Sequence, residues 1–543
     1  MRACQKILLF LCAVLLASWC MAGEAVPATG SHSSGKETVS ANASTEKAHF
    51  DVWEFRVEGA SLLDQQLVER TVYPFLGSNR TIEDIEKAGK ALQTVYRDAG
   101  YPTVIVNIPE QDVRDTVVRL QVVEGKISRV RVTGSRYFSL DSIRKEIPAL
   151  TKGVTPNLSA LQKQIRKVNA LTPDRRVTPV FRPGRTPGTV EVDLKVRDEF
   201  PLHAEMELTG RNSRDTTRSR LSTTLRYSNL FQKGHSASLM LMTAPENTDE
   251  VKVASLTYVM PLKHRSDVLA AYGVVTRSDV ATAGDITVLG DGTIFGARYI
   301  HPLTGLKKYF HSTTLGIDYK DFSESLKPIG TDALNTPIDY VSFSASYRGT
   351  LLQKTGRSIF GAGLHFGLRG LGNHAKEFEN KRFNAVPNFI YITAFGEHDV
   401  ALPYDFTLHG ALNGQLSNSP LVSNEEFTAG GAESVRGYFE SQALGDDGIR
   451  GSLELRSPSL AAHVSHFLRK LSLYSFLDGA RLRVQDPLPG QATRTILYGA
   501  GAGFRLSGPG KVEADFSLAW PLRDDGGVKR GDTRSHFRMF YGF

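Results

Sequence analysis

Cysteine is the scarcest informative residue in this 543-residue chain. There are three, Cys4, Cys12 and Cys20, all near the N-terminus, and none follows. A disulfide framework, a cysteine nucleophile and a thiolate metal site are therefore excluded from the rest of the chain. Long apolar runs are also missing: the one continuous stretch, Ile7 to about Trp19, is too short to span a bilayer as a helix. No HExxH pair and no phosphate-binding loop occurs, and "GHSAS" (234–238) lacks the second glycine of a nucleophile elbow. The fourteen histidines are scattered. No enzyme, no cofactor and no metal is expected. The net charge of +8 reads as a mildly basic surface. Without an aromatic–basic binding module, nucleic acid is not an expected partner.

What is present begins with "MRACQKILLFLCAVLLASWCMAG". Arg2 and Lys6 precede the apolar run, and small residues follow, with Ala22 and Ala25 as cleavage points. This is the pattern of a secretory signal peptide, here 1–22. Trp19 is too large to precede a lipidated cysteine. Residues 23–50 are rich in Ser, Ala, Gly and Thr and read as a flexible linker.

Two units of one element order come next, at 51–124 and 125–199. In the first, "VWEFRVEG" (52–59) reads as a strand and "LLDQQLVERTV" as a short helix. The helix over 81–100 is capped by Thr81 with Asp84 and aligns Ile82, Ile85, Ala88, Leu92, Val95 and Tyr96 on one face. Gly100 and Pro102 end it, and two strands follow. The second unit repeats strand, short helix, helix (157–171), strand, strand. Each is an α+β module of β-α-α-β-β.

From residue 200 on, the pattern changes to alternation with period two. In "RLSTTLRYS" (220–228), Leu221, Thr223, Leu225 and Tyr227 face one way, and Ser222, Thr224 and Arg226 the other. "IRGSLELRS" (449–457) behaves likewise. Such strands suit lipid on one face and a wet lumen on the other. Sixteen strands over 200–543 allow about 21 residues for each strand and its connection. About eleven strands precede, and five follow, a patternless stretch from about 417 to 448. Closure into an all-β barrel leaves no backbone edge unpaired in hydrocarbon. The chain stops at "SHFRMFYGF", with Phe537, Met539, Tyr541 and Phe543 on one face and Arg538 on the other.

The two modules resemble POTRA domains, the periplasmic modules of outer-membrane translocation and assembly proteins. The run 168–196 is similar to the second POTRA of two-partner secretion transporters of the TpsB type, the haemolysin secretion/activation family. The residues that carry this likeness are Asn169, Pro173, Pro183, Gly184, Pro187 and Gly188. "GGAESVRGY" (430–438), with Val435, Arg436, Gly437 and Tyr438, resembles the VRGY motif of a loop that folds back into the barrel lumen. "SFLDG" (475–479) resembles F-x-D-x-G on an inner-wall strand, with Phe476, Asp478 and Gly479 as the matched residues. Alternation places Tyr474, Phe476 and Asp478 on the lumen side. The resemblance implies that Arg436 pairs with Asp478 and pins the loop. The terminal aromatic strand resembles the signal read by the barrel assembly machinery.

The resemblance further implies an outer-membrane translocator. Its POTRA pair would bind an unfolded secreted partner, an adhesin, haemolysin or contact-dependent toxin, through that partner's N-terminal secretion domain. Export would pass through the barrel without ATP. Other expected partners are outer-membrane lipid and, during biogenesis, the assembly machinery and periplasmic chaperones. The alternative is a barrel-assembly or insertase protein of the same superfamily. Those carry three or more POTRA units, and only two fit between 51 and 199. Some family members carry an N-terminal plug helix. Residues 23–50 lack its amphipathic pattern, which leaves a plug and a flexible tail both open.

Overall fold

The computed structural model describes residues 49–543 except 113–114, 215, 263–266, 278–279, 284–285, 324 and 327–333. The expected signal peptide, and nearly all of the linker or plug segment, lie outside the described residues.

The first module contains β1 (Phe50–Val52), β2 (Glu54–Glu58), α1 (Gln65–Val72), β3 (Gly77–Arg80), α2 (Ile82–Asp98), β4 (Val104–Asn107) and β5 (Val117–Glu124). The second contains β6 (Lys126–Thr133), α3 (Leu140–Lys145), α4 (Leu158–Ala170), β7 (Arg175–Pro183) and β8 (Thr189–Asp198). Each builds a three-stranded sheet of the same kind. β2 runs parallel to β5, which pairs antiparallel with β4; β6 runs parallel to β8, which pairs antiparallel with β7. The helices cover one sheet face. Leu92 and Tyr96 of α2 meet Val104 and Val122, and Leu161 and Val168 of α4 meet Val192 and Leu194, all fully buried or nearly so.

Three local expectations differ. The expected strand over 52–59 breaks at Trp53, whose side chain is exposed, so β1 pairs separately with β3. That pairing adds a short strand to the expected order. Ile82 is also exposed rather than on the packed face of α2. As the first residue after the Thr81 cap it precedes the first full turn, where the helix has not yet reached the sheet. The cap itself forms: the Thr81 amide donates to the Asp84 carboxylate at 3.1 Å.

The sixteen barrel strands follow, with three small hairpins between them. The wall begins with β9 (Leu202–Thr209), β10 (Arg220–Leu230), β11 (His235–Thr243), β12 (Lys252–Pro261) and β13 (Val268–Arg277). After the hairpin of β14 (Val280–Ala283) and β15 (Ile286–Leu289) come β16 (Gly292–Pro302) and β17 (Tyr309–Phe322). The pair β18 (Ser325–Leu326) and β19 (Leu334–Asn335) precedes β20 (Ile338–Leu352) and β21 (Gly356–Gly367). A short helix α5 (Ala375–Lys381) leads to β22 (Ile390–Ala401) and β23 (Thr407–Ser417). The hairpin of β24 (Phe427–Ala429) and β25 (Ala443–Gly445) precedes β26 (Asp447–Arg456). The wall ends with β27 (Lys470–Arg483), β28 (Arg494–Ser507), β29 (Lys511–Pro521) and β30 (Arg534–Gly542).

Each wall strand is antiparallel to the next, and β30 closes on β9 from Arg538 opposite Thr209 to Gly542 opposite Glu205. The alternating pattern is realised as two faces. Leu225, Leu256, Leu315, Ile392, Leu453 and Leu477 point outward, each 46 to 58% exposed. So large an apolar exterior would be costly in water and is favourable against lipid acyl chains.

The two ends of the barrel differ. At the end next to the modules most turns are short, as at 353–355 and 508–510, with 457–469 the longest; at the far end the longest connections are 368–389 and 418–446. The second module meets the near end. The Tyr137 carbonyl accepts from Gln232 at 3.0 Å, and Phe200 packs edge-on between Tyr137 and Tyr227.

Candidate functional site

The longest far-end loop, 418–446, does not lie over the barrel surface. It contains the β24–β25 hairpin, which the sequence stretch did not betray, because three-residue strands are too short to show alternation. Its tip enters the lumen and packs on the wall. Val435 and Tyr438 have no exposure, and Phe427, Ala429 and Ala443 share a core with Ala480, Leu482 and Leu497 of the wall.

Arg436 is the centre of this arrangement. Its guanidinium donates to both oxygens of Asp478, Nε at 2.7 Å and one terminal nitrogen at 2.8 Å. This is the parallel fork geometry that arginine offers and lysine cannot. The Arg436 backbone amide donates to the same carboxylate at 3.1 Å. The remaining terminal nitrogen reaches Glu454 at 3.1 Å, and Ser452 accepts from Arg436 at 3.1 Å while donating to Asp478 at 2.7 Å. The guanidinium carbon lies 3.4 Å from the centre of the Phe476 ring, a cation–π contact. Asp478 has no exposed side-chain surface. A buried carboxylate is stable as an ion only when paired and hydrogen-bonded, and both conditions hold here.

Glu454 extends the cluster along the wall. It accepts from Arg505 at 2.6 Å and from Arg456 at 2.6 Å, and Arg505 also donates to Asp515 at 2.6 Å. Arg436 thus joins an alternating chain of charges fixed to β26, β28 and β29.

The flanking residues shape the tip. Gly437 has φ +99°, and a Cβ there would lie 2.8 Å from the backbone nitrogen of Pro521, so only glycine fits the turn against the wall. Its amide donates to the His536 ring at 3.2 Å. The Tyr438 hydroxyl donates to the carbonyls of Arg523, at 2.7 Å, and Tyr498, at 3.1 Å.

Of the residues singled out in sequence, Val435, Arg436, Gly437, Tyr438, Phe476 and Asp478 come together here. Gly479 does not. It points outward, where a Cβ would lie 3.1 Å from the exposed Tyr498 ring. In F-x-D-x-G the glycine falls two residues after the aspartate, and that position here is Ala480, packed in the loop's core. Period two forces Gly479 onto the opposite face from Asp478. Sequence reading also missed Gly499. A Cβ on this wall residue would sit 2.0 Å from the Arg436 carbonyl, so the bare backbone is the seat of the loop tip. Alternation over 449–457 puts Ser452 and Glu454 on the inward face, but nothing in the sequence marks them as partners of Arg436.

The second-module residues sit away from the barrel site. Asn169 clamps Val177, accepting from its amide at 2.8 Å and donating to its carbonyl at 3.0 Å. Pro173 lies in the turn between α4 and β7. Pro183 ends β7, and Gly184, Pro187 and Gly188 lie in the β7–β8 connection, where a Cβ on Gly188 would lie 3.0 Å from Val123 of the first module. That hairpin therefore lies at the junction of the two modules. On β30, Phe537, Met539 and Tyr541 face outward, Phe543 just beyond the strand is exposed, and Arg538 faces inward, donating to Glu207 of β9 at 2.7 Å across the closing seam. Among the described residues no cluster of three or more His, Asp or Glu suits a metal ion.

Comparison with known proteins bears on these features together. Residues 50–125 match the POTRA domain of ShlB type, and residues 188–506 match the haemolysin secretion/activation protein family ShlB/FhaC/HecB. The heme/hemopexin transporter protein HuxB of Haemophilus influenzae is 22% identical over 84% of this chain and 80% of its own length. The outer membrane transporter CdiB of Dickeya dadantii is 21% identical over 87% of this chain and 83% of its own. In fold, CdiB from Escherichia coli superposes with a TM-score of 0.59 at 19% identity, over 93% of each chain. BamA from Haemophilus ducreyi gives 0.58 at 14% identity, over 91% of this chain and all of that one. Both likenesses show the same barrel fold.

Proposed function

The chain belongs to the haemolysin secretion/activation family ShlB/FhaC/HecB, whose members are two-partner secretion transporters of the outer membrane, and from that premise we propose how it works. Its POTRA modules bind one large secreted protein in an extended, unfolded form, through that protein's N-terminal secretion domain. The partner adds a strand to a free module edge, then threads through the barrel and folds outside. Folding outside draws the chain forward, so that no ATP is needed in a compartment that holds none. The cargo class is an adhesin, haemolysin or contact-dependent toxin. The relatives' names support a protein-transport role: HuxB is a heme/hemopexin transporter protein and CdiB an outer membrane transporter.

The observation that carries this reading is the loop pinned in the lumen by Arg436 and Asp478, in a barrel with two POTRA modules at its near end. A loop fixed at one wall leaves the rest of the bore free to vary. A covalent bond would do the same, but a chain without downstream cysteine uses a buried ion pair. In the same reading, the outward aromatic face of β30 is the segment the barrel assembly machinery recognises, after periplasmic chaperones deliver the chain. The test is a deletion strain. The secreted partner protein is expected to stay in the periplasm; its undiminished appearance at the surface would overturn the export reading.

A further inference from the structure

The extracellular mouth holds a second set of contacts, separate from the Arg436 cluster. Phe378 and Phe389 from 368–389 pack with Leu421 and Val422 from 418–446 against Phe322 and Tyr340 at the ends of β17 and β20. All six are at most 2% exposed, and the Tyr340 and Phe378 rings meet edge to face at 5.5 Å. This is a dry core built inside the mouth of a pore.

Glu425 accepts from Tyr340 and Tyr391 of the wall beside this core, and one further side chain ties the loops around it to one another. Arg382 follows α5, and its side chain is 17% exposed. One terminal nitrogen donates to the Leu421 carbonyl at 2.7 Å and to Glu426, both at the start of the lumenal loop. The other donates to Asp446, at the loop's end, at 2.6 Å, and to the Gln485 carbonyl of the next loop at 3.3 Å. Asp446 is fully buried and also accepts from the amides of Leu421 at 2.6 Å and Gln485 at 2.7 Å. A single cation therefore joins the fifth loop, both stems of the sixth, and the seventh.

We propose that Arg382 is the latch of an extracellular cap, and that export begins when Arg382 leaves Glu426 and Asp446 and the 368–389 loop swings out, while Arg436 stays seated on Asp478. The two clusters divide the labour. Arg436 holds loop to wall, where β26 and β27 are rigid. Arg382 holds loop to loop, and nothing in its partner set belongs to a membrane-spanning stretch of strand. Arg382 acts by positioning the loops, not by touching cargo. The proposal rests on the export reading, but its test measures ion flow and needs no cargo, so either can fail alone.

The full chain is purified, checked for the heat-modifiable mobility of a folded barrel, and placed in planar bilayers in potassium chloride. Arg382→Met keeps the aliphatic stem and removes the fork. It should raise the fraction of time spent conducting about tenfold or more, since two carboxylates lose their shared cation. The same variant should make cells sensitive to vancomycin, which the intact outer membrane excludes. Arg382→Lys should be intermediate, because a point charge cannot reach all four acceptors. Lys529→Met, the same charge change on an exposed loop residue outside the cap, should stay closed. A quiet Arg382→Met channel in a folded barrel would overturn the proposal.

Should that variant not fold, a converse experiment decides. Asn384 and Asp486 meet side chain to side chain at 3.1 Å between the fifth and seventh loops. Cysteines at both, in a mature chain that otherwise has none, allow a reducible bis-thiol reagent to bridge them. The bridge should abolish openings seen at high voltage, and reduction should restore them. Openings that persist across the bridge would equally overturn the proposal.

Discussion

A fork of two nitrogens on one carboxylate is a demanding geometry, and the effect of each substitution at the Arg436 site follows from it. Arg436→Ala leaves Asp478 buried without its partner, a loss of about 3–5 kcal/mol of local stability. Because the sixteen wall strands hold one another through backbone bonds, that loss falls on the loop. The barrel should still assemble and show normal heat-modifiable mobility, while the loop becomes sensitive to added protease. Arg436→Lys should behave nearly as badly, because one ammonium cannot satisfy Asp478, Glu454 and Ser452 together. Gly499→Ala tests the same seat from the other side. It touches no charge and lies in neither motif, yet its Cβ would collide with the Arg436 carbonyl. Protease sensitivity like that of Arg436→Ala is expected; a fully protected loop would show that close backbone approach is not needed. Legibility at this scale was uneven. Arg436 and Asp478 stand out because a motif singles them out. Gly499 does not, because its importance lies in what it lacks, and Gly479 misled because a glycine one place early lies on the opposite face of a strand.

Elements bring a pH dependence. Glu426, at the start of the lumenal loop, is largely buried, and burial pushes its carboxyl up to about 7; Arg382 pulls it down and Asp446 pushes it up, without reversing the result. Opening the cap exposes the group and returns it toward its ordinary 4.5. The closed cap therefore binds the proton more tightly than the open one. Between these two values the closed form is favoured by protonation, and that advantage is lost as pH rises through about 7. Basal conductance should be higher at pH 7.5 than at pH 5, and Glu426→Gln, neutral throughout, should flatten the difference. An unchanged slope in that variant would assign the dependence to another group. The wall strands themselves were plain in sequence, since lipid on one face and water on the other impose alternation over ten or more residues. The β24–β25 hairpin, β3 and the cap core were not. Their strands are short, and Phe378, Leu421 and Tyr340 meet only because loops far apart in sequence share one mouth.

The whole molecule joins two POTRA modules to a sixteen-stranded barrel. Asp198 receives the amides of Arg136 and Tyr137, at 3.0 and 2.9 Å, and the Tyr137 carbonyl in turn accepts from Gln232 of the first periplasmic turn. The second module is thus bonded to the rim of the barrel through a few polar contacts. Asp198 lies outside the membrane. Although burial raises its carboxyl, the amides of Tyr137 and Arg136 and the Ser135 hydroxyl hold it below the usual aspartate range. Asp198→Ala should loosen this joint, lowering secretion without altering barrel assembly or bilayer conductance. Two modules, a barrel and their order were all readable in the chain because each imposes its own period, 3.6 or 2, over a long stretch.

Export should require the loop to be locked in the lumen. The most direct measurement is the amount of the large secreted partner at the cell surface in a strain whose only copy carries Arg436→Ala, compared with wild type at equal levels of folded barrel. Surface partner should be abolished or sharply reduced while the barrel level holds, with Asp478→Ala giving the same result. Normal surface display by both variants would contradict it.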